Sequence, residues 1–288
     1  MSPRPQTILF VFCHPDDEVL WAGGLLCALP SLANTRAMVV ILSGGGSSRR
    51  TEFEQVRQAA AYHAGVLLGG DLLPSTEPLP PIGTALEQGI QLLGIDPGDV
   101  DALITHSPYG DEHANRHHRQ AYRELRAWTR RHSVPFGYAS CLPLPFFYHR
   151  PLLRNLRRQG PIQVLNLSRC TPVYSRVRRT LDPLFRRYLD CPRYYLQFQI
   201  DAAAKRALLD GYNSVDVPAH VSGYAMATSS VEALYLFDDR ALAPFAAAIE
   251  SMAIPGVGDL FALSDTRLRL RSLKRRVLQR LGLRSGAV

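Results

Sequence analysis

Residues 7–18, Thr-Ile-Leu-Phe-Val-Phe-Cys-His-Pro-Asp-Asp-Glu, join an apolar segment directly to an acidic turn. The apolar part, Thr7–Cys13, is rich in β-prone residues and predicts a buried strand. Residues Glu18–Leu29 then place apolar side chains at helical spacing and stop at Pro30, which predicts a helix. A strand that leads through a tight turn into a helix is the first half of a β–α–β unit, so this stretch sets the expected fold class.

The same alternation of strand and helix continues as far as Ala139. Further strands are predicted at Ala37–Leu42, Val66–Leu68, Val100–Thr105 and Val134–Ala139, with helices at Glu52–Ala64, Thr84–Leu93 and Arg119–Arg131. Gly65 is placed to end the helix Glu52–Ala64. We therefore predict an α/β fold with a Rossmann-like, mostly parallel sheet and helices on both faces.

The regular pattern weakens after Ser140. We expect one domain over residues 1–265, with a core at 7–140 and a variable, Arg-rich insertion at 141–200 that takes part in substrate recognition. Residues 266–288 are expected to form a basic, amphipathic C-terminal helix, with one apolar stripe at Leu270, Leu273, Val277 and Leu281. Such a helix either docks on its own domain or lies on an anionic membrane surface.

The charge is positive and uneven. The chain of 288 residues has 33 Lys and Arg against 25 Asp and Glu, a formal net charge of +8. From Leu125 to Leu181 it contains eleven Arg and no carboxylate. This window is either a solvated surface or a site that faces an anionic substrate or a membrane. No recognised nucleic-acid-binding motif accompanies the charge.

Cysteine usage and hydropathy bear on the compartment. The five Cys form no C-x-x-C pair, which argues against a disulfide framework and favours a reducing environment. No signal peptide and no transmembrane-length apolar run is apparent, so we expect a cytoplasmic protein.

The acidic turn and a later His-rich segment carry the residues suited to chemistry. His14 and Asp17 are three positions apart and could bind one metal ion, leaving Asp16 as a general base beside a metal-bound water. The alternative is a capped turn at a helix N-terminus with an incidental histidine. The segment His106–His118 contains four of the nine histidines and also follows a predicted strand. It is either a solvated loop or the source of a third ligand, which would complete the kind of site that zinc occupies.

The His-Pro-Asp-Asp-Glu run and the His-rich loop ending at His118 resemble those of the PIG-L/LmbE superfamily of zinc-dependent N-acetylglucosaminyl deacetylases. Fainter similarities fall at Lys205, Tyr212 and Glu232. The resemblance implies a hydrolase that removes an N-acetyl group from an amino-sugar substrate. It implies zinc ligands at His14, Asp17 and His118, with Asp16 as general base and later as the acid for the leaving amine. A site of this ligand type also accommodates other divalent transition metals.

The sequence departs from the family pattern near the third ligand. The family often has His-x-x-His there, and counting back from His118 reaches Asn115. Counting forward from His113 makes His117 a rival ligand. The oxyanion contact is therefore assigned to His113 or Asn115, and Arg57 and Tyr109 are candidate substrate contacts. Cys13 stands where the family usually has Ala, and we interpret it as a buried apolar residue.

Two other functions remain open. A degenerate family member would bind a glycan or nucleotide sugar without hydrolysing it. A nucleotide-binding module would use Gly44-Gly45-Gly46 to hold a phosphate, although the G-x-G-x-x-G fingerprint is missing. An anionic glycoconjugate is the expected substrate, no nucleic acid partner is expected, and the oligomeric state is not assigned.

Overall fold

The computed structural model describes residues 4–29, 34–70, 73, 76–108, 115–140, 162–166, 194–214 and 231–251. All of these residues lie within one compact unit, residues 1–254. The predicted tail at 266–288, most of the Arg-rich insertion, and the candidate residues Tyr109 and His113 lie outside the described residues.

The described strands and helices alternate up to β5, as the sequence predicts. The strands are β1 (Gln6–Phe12), β2 (Thr35–Ile41), β3 (Ala64–Leu67), β4 (Val100–Thr105), β5 (Phe136–Ser140), β6 (Ile162–Asn166), β7 (Tyr194–Gln199) and β8 (Val231–Leu236). The helices are α1 (Asp17–Ala28), α2 (Ser47–Ala60), α3 (Ile82–Leu92), α4 (Arg116–His132), α5 (Ala202–Leu209) and α6 (Asp239–Ser251). None of these helices combines the length and the low polarity that crossing a membrane would require.

The described strands form one sheet in the order β3-β2-β1-β4-β5-β8-β7-β6. The strands from β3 to β5 in this order are parallel to one another, whereas β5–β8, β8–β7 and β7–β6 are antiparallel pairs. The chain moves outward in one direction from β1 and in the other direction from β4. The boundary between β1 and β4 is therefore the topological switch point, where α/β sheets bind their ligands.

The helices cover both faces of the parallel half, which confirms the predicted fold class. Right-handed crossovers in opposite directions place α1 and α2 on one face and α3 and α4 on the other. In agreement, α1 contacts α2, and α3 contacts α4. Because both faces are covered, β1 reads as a continuous apolar run, and Ile8 to Phe12 are fully buried.

Two predicted boundaries were wrong around α2. The helix begins at Ser47 and ends when Ala61 adopts the left-handed conformation, with φ of 58°. Gly65 does not end this helix but lies in β3. A Cβ at Gly65 would lie 2.9 Å from the rings of Phe53 and Tyr62, so close packing explains the glycine.

Candidate metal centre

The acidic turn and the His-rich segment meet because β1 and β4 are parallel neighbours. The turn at residues 13–16 leaves the carboxyl end of β1, and His106 follows β4 directly. The backbone N–H of Cys13 donates a hydrogen bond of 3.0 Å to Nε2 of His106. The hydroxyl of Thr105 donates to the carbonyl of Val11 at 2.7 Å. The two segments are thus joined at the switch point.

The turn between β1 and α1 is tightly constrained. Asp16 has φ of 109°, which is rare for a residue with a side chain and costs about 1–3 kcal/mol. Its backbone N–H donates to Oε2 of Glu18 at 3.1 Å, and the N–H of His14 donates to Oδ2 of Asp17 at 2.8 Å. Among the described residues, the Asp16 side chain makes no capping hydrogen bond to α1. The side chain of Asp16 therefore does not cap α1.

Three histidines surround the carboxylate of Asp17. Its Oδ2 lies 3.1 Å from Nδ1 of His14, 3.3 Å from Nε2 of His118 and 3.4 Å from Nε2 of His106. Nδ1 of His14 is in turn 3.4 Å from Nε2 of His118. Asp17 and His118 are each 4% exposed, so this convergence occurs away from bulk water.

A hydrogen-bonded relay determines which nitrogen of His14 faces Asp17. Nε2 of His117 lies 2.7 Å from the carbonyl oxygen of Glu77, which can only accept, so His117 carries its proton on Nε2. Nδ1 of His117 then accepts from Nε2 of His14, at 2.9 Å. A neutral His14 therefore turns the lone pair of Nδ1 toward Asp17 and His118. Metal-binding histidines are commonly held by such a bond through the second ring nitrogen.

Electrostatic interactions and burial shift the pKa values of the adjacent carboxyl groups in different directions. Burial alone would raise the pKa of Asp17, but the imidazoles of His118 and His106 hold that pKa well below its usual range. The pKa of Asp16 is raised well above its usual range by burial and by the negative charges of Asp17 and Glu18. Burial raises the pKa of Glu18 to about 7, against the opposing hydrogen bond from Tyr212. Asp17 is thus the anion, and Asp16 is suited to hold a proton.

The donor atoms fit a divalent transition metal. One nitrogen each from His14 and His118 and one oxygen from Asp17 lie within 4.8 Å of one another. Without a cation, the lone pair of His14 would face the Asp17 carboxylate. Two imidazoles and one carboxylate are ligands that zinc accepts, with room for water. Cys13, His106 and His118 form a second group of this kind and share His118 with the first.

The two rival histidines differ in their contacts. Both ring nitrogens of His117 are engaged, by His14 and by the Glu77 carbonyl, whereas Nε2 of His118 points into the cluster. Asn115 precedes α4, and its side-chain oxygen accepts the N–H of His117 at 2.9 Å, which makes it an N-cap. The side-chain NH2 is the group that could donate to an oxyanion, and this contact stays a prediction.

Arg57, one of the predicted substrate contacts, pairs with a neighbour on its own helix. Arg57 lies in the last turn of α2, where its guanidinium pairs with the carboxylate of Glu54. Its contact with a substrate stays a prediction, as do the roles of Tyr109 and His113.

Two groups of the candidate site were not predicted from the sequence. His106 is fully buried, and its ring stacks on that of His118 with centroids 3.8 Å apart and planes 4° from parallel. Its position directly after a predicted strand, like that of the Cys13-His14 pair, is the signal that could have identified it. The carbonyl of Glu77 has no such signal, since a backbone group leaves no mark on the sequence.

No family model and no curated protein matches the sequence. Solved structures are similar in shape. A teicoplanin deacetylase in complex with teicoplanin matches at 14% identity and a TM-score of 0.44, over 80% of this chain and 98% of that one. The 4-carboxy-2-hydroxymuconate hydratase GalB from Pseudomonas putida matches at 14% identity and a TM-score of 0.39, over 81% of this chain and 96% of that one. The conserved protein TT1542 from Thermus thermophilus matches at 18% identity and 0.34, over 46% of this chain and 64% of that chain.

The case for a particular reaction rests on the residues of the site.

Proposed function

We propose that this protein is a metal-dependent hydrolase that removes an N-acetyl or other N-acyl group from an amino-sugar substrate. The observation that carries the proposal is the convergence of His14, Asp17 and His118, with Asp16 next to them in a constrained turn. These three residues would hold a zinc ion. When bound, zinc supplies Lewis acidity, which makes water acidic and polarises an amide carbonyl.

The remaining steps belong to the side chains. Asp16 takes a proton from the attacking water and later delivers it to the departing amine, so that no net proton is consumed within the site. The His117–Glu77 relay holds the His14 ring in the orientation that exposes Nδ1. His113 and the amide group of Asn115 are the proposed donors to the oxygen of the scissile amide.

Substrate recognition is proposed from the sequence. Arg57, Tyr109 and the Arg-rich insertion favour an anionic glycoconjugate, because arginine forms paired contacts with phosphate and carboxylate. The basic tail would bring the protein to an anionic membrane surface if the substrate is linked to lipid.

The competing functions have less support. The fit of the donor set to a metal and the placement of Asp16 speak against a degenerate glycan-binding protein. In the proposed nucleotide site, a Cβ at Gly45 would lie 2.2 Å from the carbonyl oxygen of Gly69. Close packing of two backbone segments therefore accounts for this glycine without a phosphate.

The decisive experiment compares the wild type with Asp16→Asn. We expect near-stoichiometric zinc in both proteins and release of acetate from N-acetylglucosamine conjugates by the wild type. Loss of the general base should lower kcat by about 10²- to 10⁴-fold. Asp210→Asn, on an exposed side chain, is the matched control and should behave as wild type.

Three results would count against the proposal. Absence of bound metal in the wild type would contradict the proposed metal site. Full activity in Asp16→Asn would exclude this residue as the base. Stoichiometric zinc and glycan binding without hydrolysis of any conjugate would favour the degenerate alternative.

A further inference from the structure

Helix α1 is broken one turn after Asp17. Ala22 has φ of −145° and ψ of 15°, outside the helical range. Side chains bond the backbone on both sides of this break. The carbonyl of Leu20 accepts from Nζ of Lys205 at 2.7 Å, and the N–H groups of Gly24 and Leu25 donate to Glu232 at 3.0 and 2.8 Å.

These two side chains form a buried ion pair that bridges the break. Nζ of Lys205 lies 2.9 Å from Oε1 of Glu232, and the two residues are 0% and 1% exposed. Lys205 lies on α5 and Glu232 on β8, far from α1 in the sequence. A continuous chain of contacts thus runs from the Leu20 carbonyl through the ion pair to the Gly24 N–H. It holds the two halves of α1 in a fixed relative orientation.

The local packing is shaped for this arrangement. A Cβ at Gly24 would lie 2.5 Å from Cβ of Ile200, and one at Gly23 would lie 3.4 Å from Cγ of Lys205. The paired glycines therefore let the segment that carries Lys205 approach the break. A buried ion pair is costly to desolvate, and a well-packed apolar pair is often at least as stable. Here, however, the two charged side chains also bond the backbone groups of Leu20, Gly24 and Leu25, which an apolar pair would leave without these partners.

The first half of α1 carries groups of the candidate metal centre. It begins at Asp17, and the ring of Trp21 lies nearly perpendicular to the rings of His106 and His118, with centroid distances of 6.0 and 6.3 Å. We propose that Lys205 and Glu232 are positioning residues, which set the orientation of this half-helix and hence of the Asp17 carboxylate. They act through the backbone of α1. The inference rests on the proposed metal site but not on the identity of the substrate.

The test replaces both charges at once, in Lys205→Met/Glu232→Leu, and measures Zn²⁺ affinity by competition with a chelator. The double variant avoids an unpaired buried charge but loses the hydrogen bonds to the backbone of Leu20, Gly24 and Leu25, so we expect a folded protein with a lowered Tm. Its Kd for Zn²⁺ should rise about 10- to 100-fold, as for loss of an outer support of a metal ligand. Binding of Co²⁺ should give a shifted visible absorption spectrum, which reports the ligand geometry.

The matched control is Arg206→Met/Asp210→Leu, which removes an exposed ion pair from the same helix region. It should leave both Kd and spectrum unchanged. A folded Lys205→Met/Glu232→Leu protein with the wild-type Kd and Co²⁺ spectrum would overturn the inference. Failure of the wild type itself to bind metal would instead overturn the proposed function.

A measurement on the wild type covers the case in which the double variant does not fold. If the ion pair couples the break to the metal centre, adding Zn²⁺ should slow amide hydrogen exchange at Gly24 and Leu25 more than elsewhere. The reference amides are Ala203 and Ala204, which bond to the Asp201 side chain at the start of α5. Equal slowing at both pairs of amides would contradict the coupling.

Discussion

The parallel and antiparallel halves of the sheet contribute to the candidate site in different ways. The segments that follow β1 and β4, in the parallel half, supply the side chains that surround Asp17. His14 lies in the turn after β1, His106 directly follows β4, and His118 lies in α4. Strand β8 and the neighbouring segment 202–214 supply Lys205, Tyr212 and Glu232, which contact the α1 backbone or Glu18. The parallel half therefore provides the candidate donor atoms, and groups from the antiparallel half bond the helix that carries Asp17. The proposed metal centre is thus local in its ligands, whereas its proposed supports are spread over the sheet.

The largest effect is expected from a change in the parallel half. Asp17→Asn removes the anion that His14, His106 and His118 face, so bound metal and acetate release should both be lost. Metal analysis of the purified protein and an acetate assay check this, with Asp210→Asn as control. A variant that keeps one zinc per chain would show that the ligands lie elsewhere.

A smaller effect is expected when the relay behind His14 is removed. His117→Phe keeps an aromatic ring but frees the His14 ring to rotate, which should weaken metal binding by about 10- to 100-fold. Chelator competition measures the change. His132→Phe, at the opposite end of α4, is the matched control and should bind metal as the wild type does. Complete loss of metal from His117→Phe would point to His117 as a ligand, as the rival sequence interpretation holds.

The antiparallel side is tested through Tyr212. Its hydroxyl donates a hydrogen bond to the fully buried carboxyl of Glu18, so Tyr212→Phe leaves that group without this donor. We expect a loss of about 1–3 kcal/mol in the free energy of unfolding, with a smaller loss of activity than in His117→Phe. Denaturant unfolding and kcat/KM provide the two readouts.

Tyr62→Phe is the control for Tyr212→Phe. The buried hydroxyl of Tyr62 has no hydrogen-bond partner within the described part of the chain. Its removal should therefore cost little or no stability. Equal destabilisation by the two substitutions would mean that the Tyr212–Glu18 bond contributes nothing specific.

The smallest effect on activity is expected at the junction of the two halves. Gly137 in β5 pairs with β4 on one side and β8 on the other, and a Cβ there would lie 2.5 Å from Cδ2 of Leu236 and 2.8 Å from Cδ1 of Ile104. Gly137→Ala should cost about 1–3 kcal/mol in unfolding free energy with kcat retained. Gly98→Ala meets no atom within 4 Å and should change stability by less than about 0.5 kcal/mol. A large loss of kcat in Gly137→Ala would mean that the junction also controls the site.

Much of the site could be predicted because its signals are local. The spacing of His14 and Asp17 and the run of histidines ending at His118 are visible without a structure. His106 was missed because its contribution depends on stacking against His118, twelve residues later in the sequence. The Glu77 carbonyl and the start of α2 at Ser47 were missed because backbone groups and loop-to-helix transitions carry weak sequence signals.

The sequence by itself determined the α/β class and the succession of strands and helices in the parallel half, because hydrophobic periodicity is a local property of the sequence. It also determined the residue types suited to a metal centre, because ligand chemistry depends on the type of side chain. Only the tertiary structure showed that His14 and the Glu77 carbonyl hold His117 while His118 faces Asp17, and only it placed Lys205 and Glu232 at the break in α1. Both arrangements depend on which groups meet in space, and the sequence does not show those meetings.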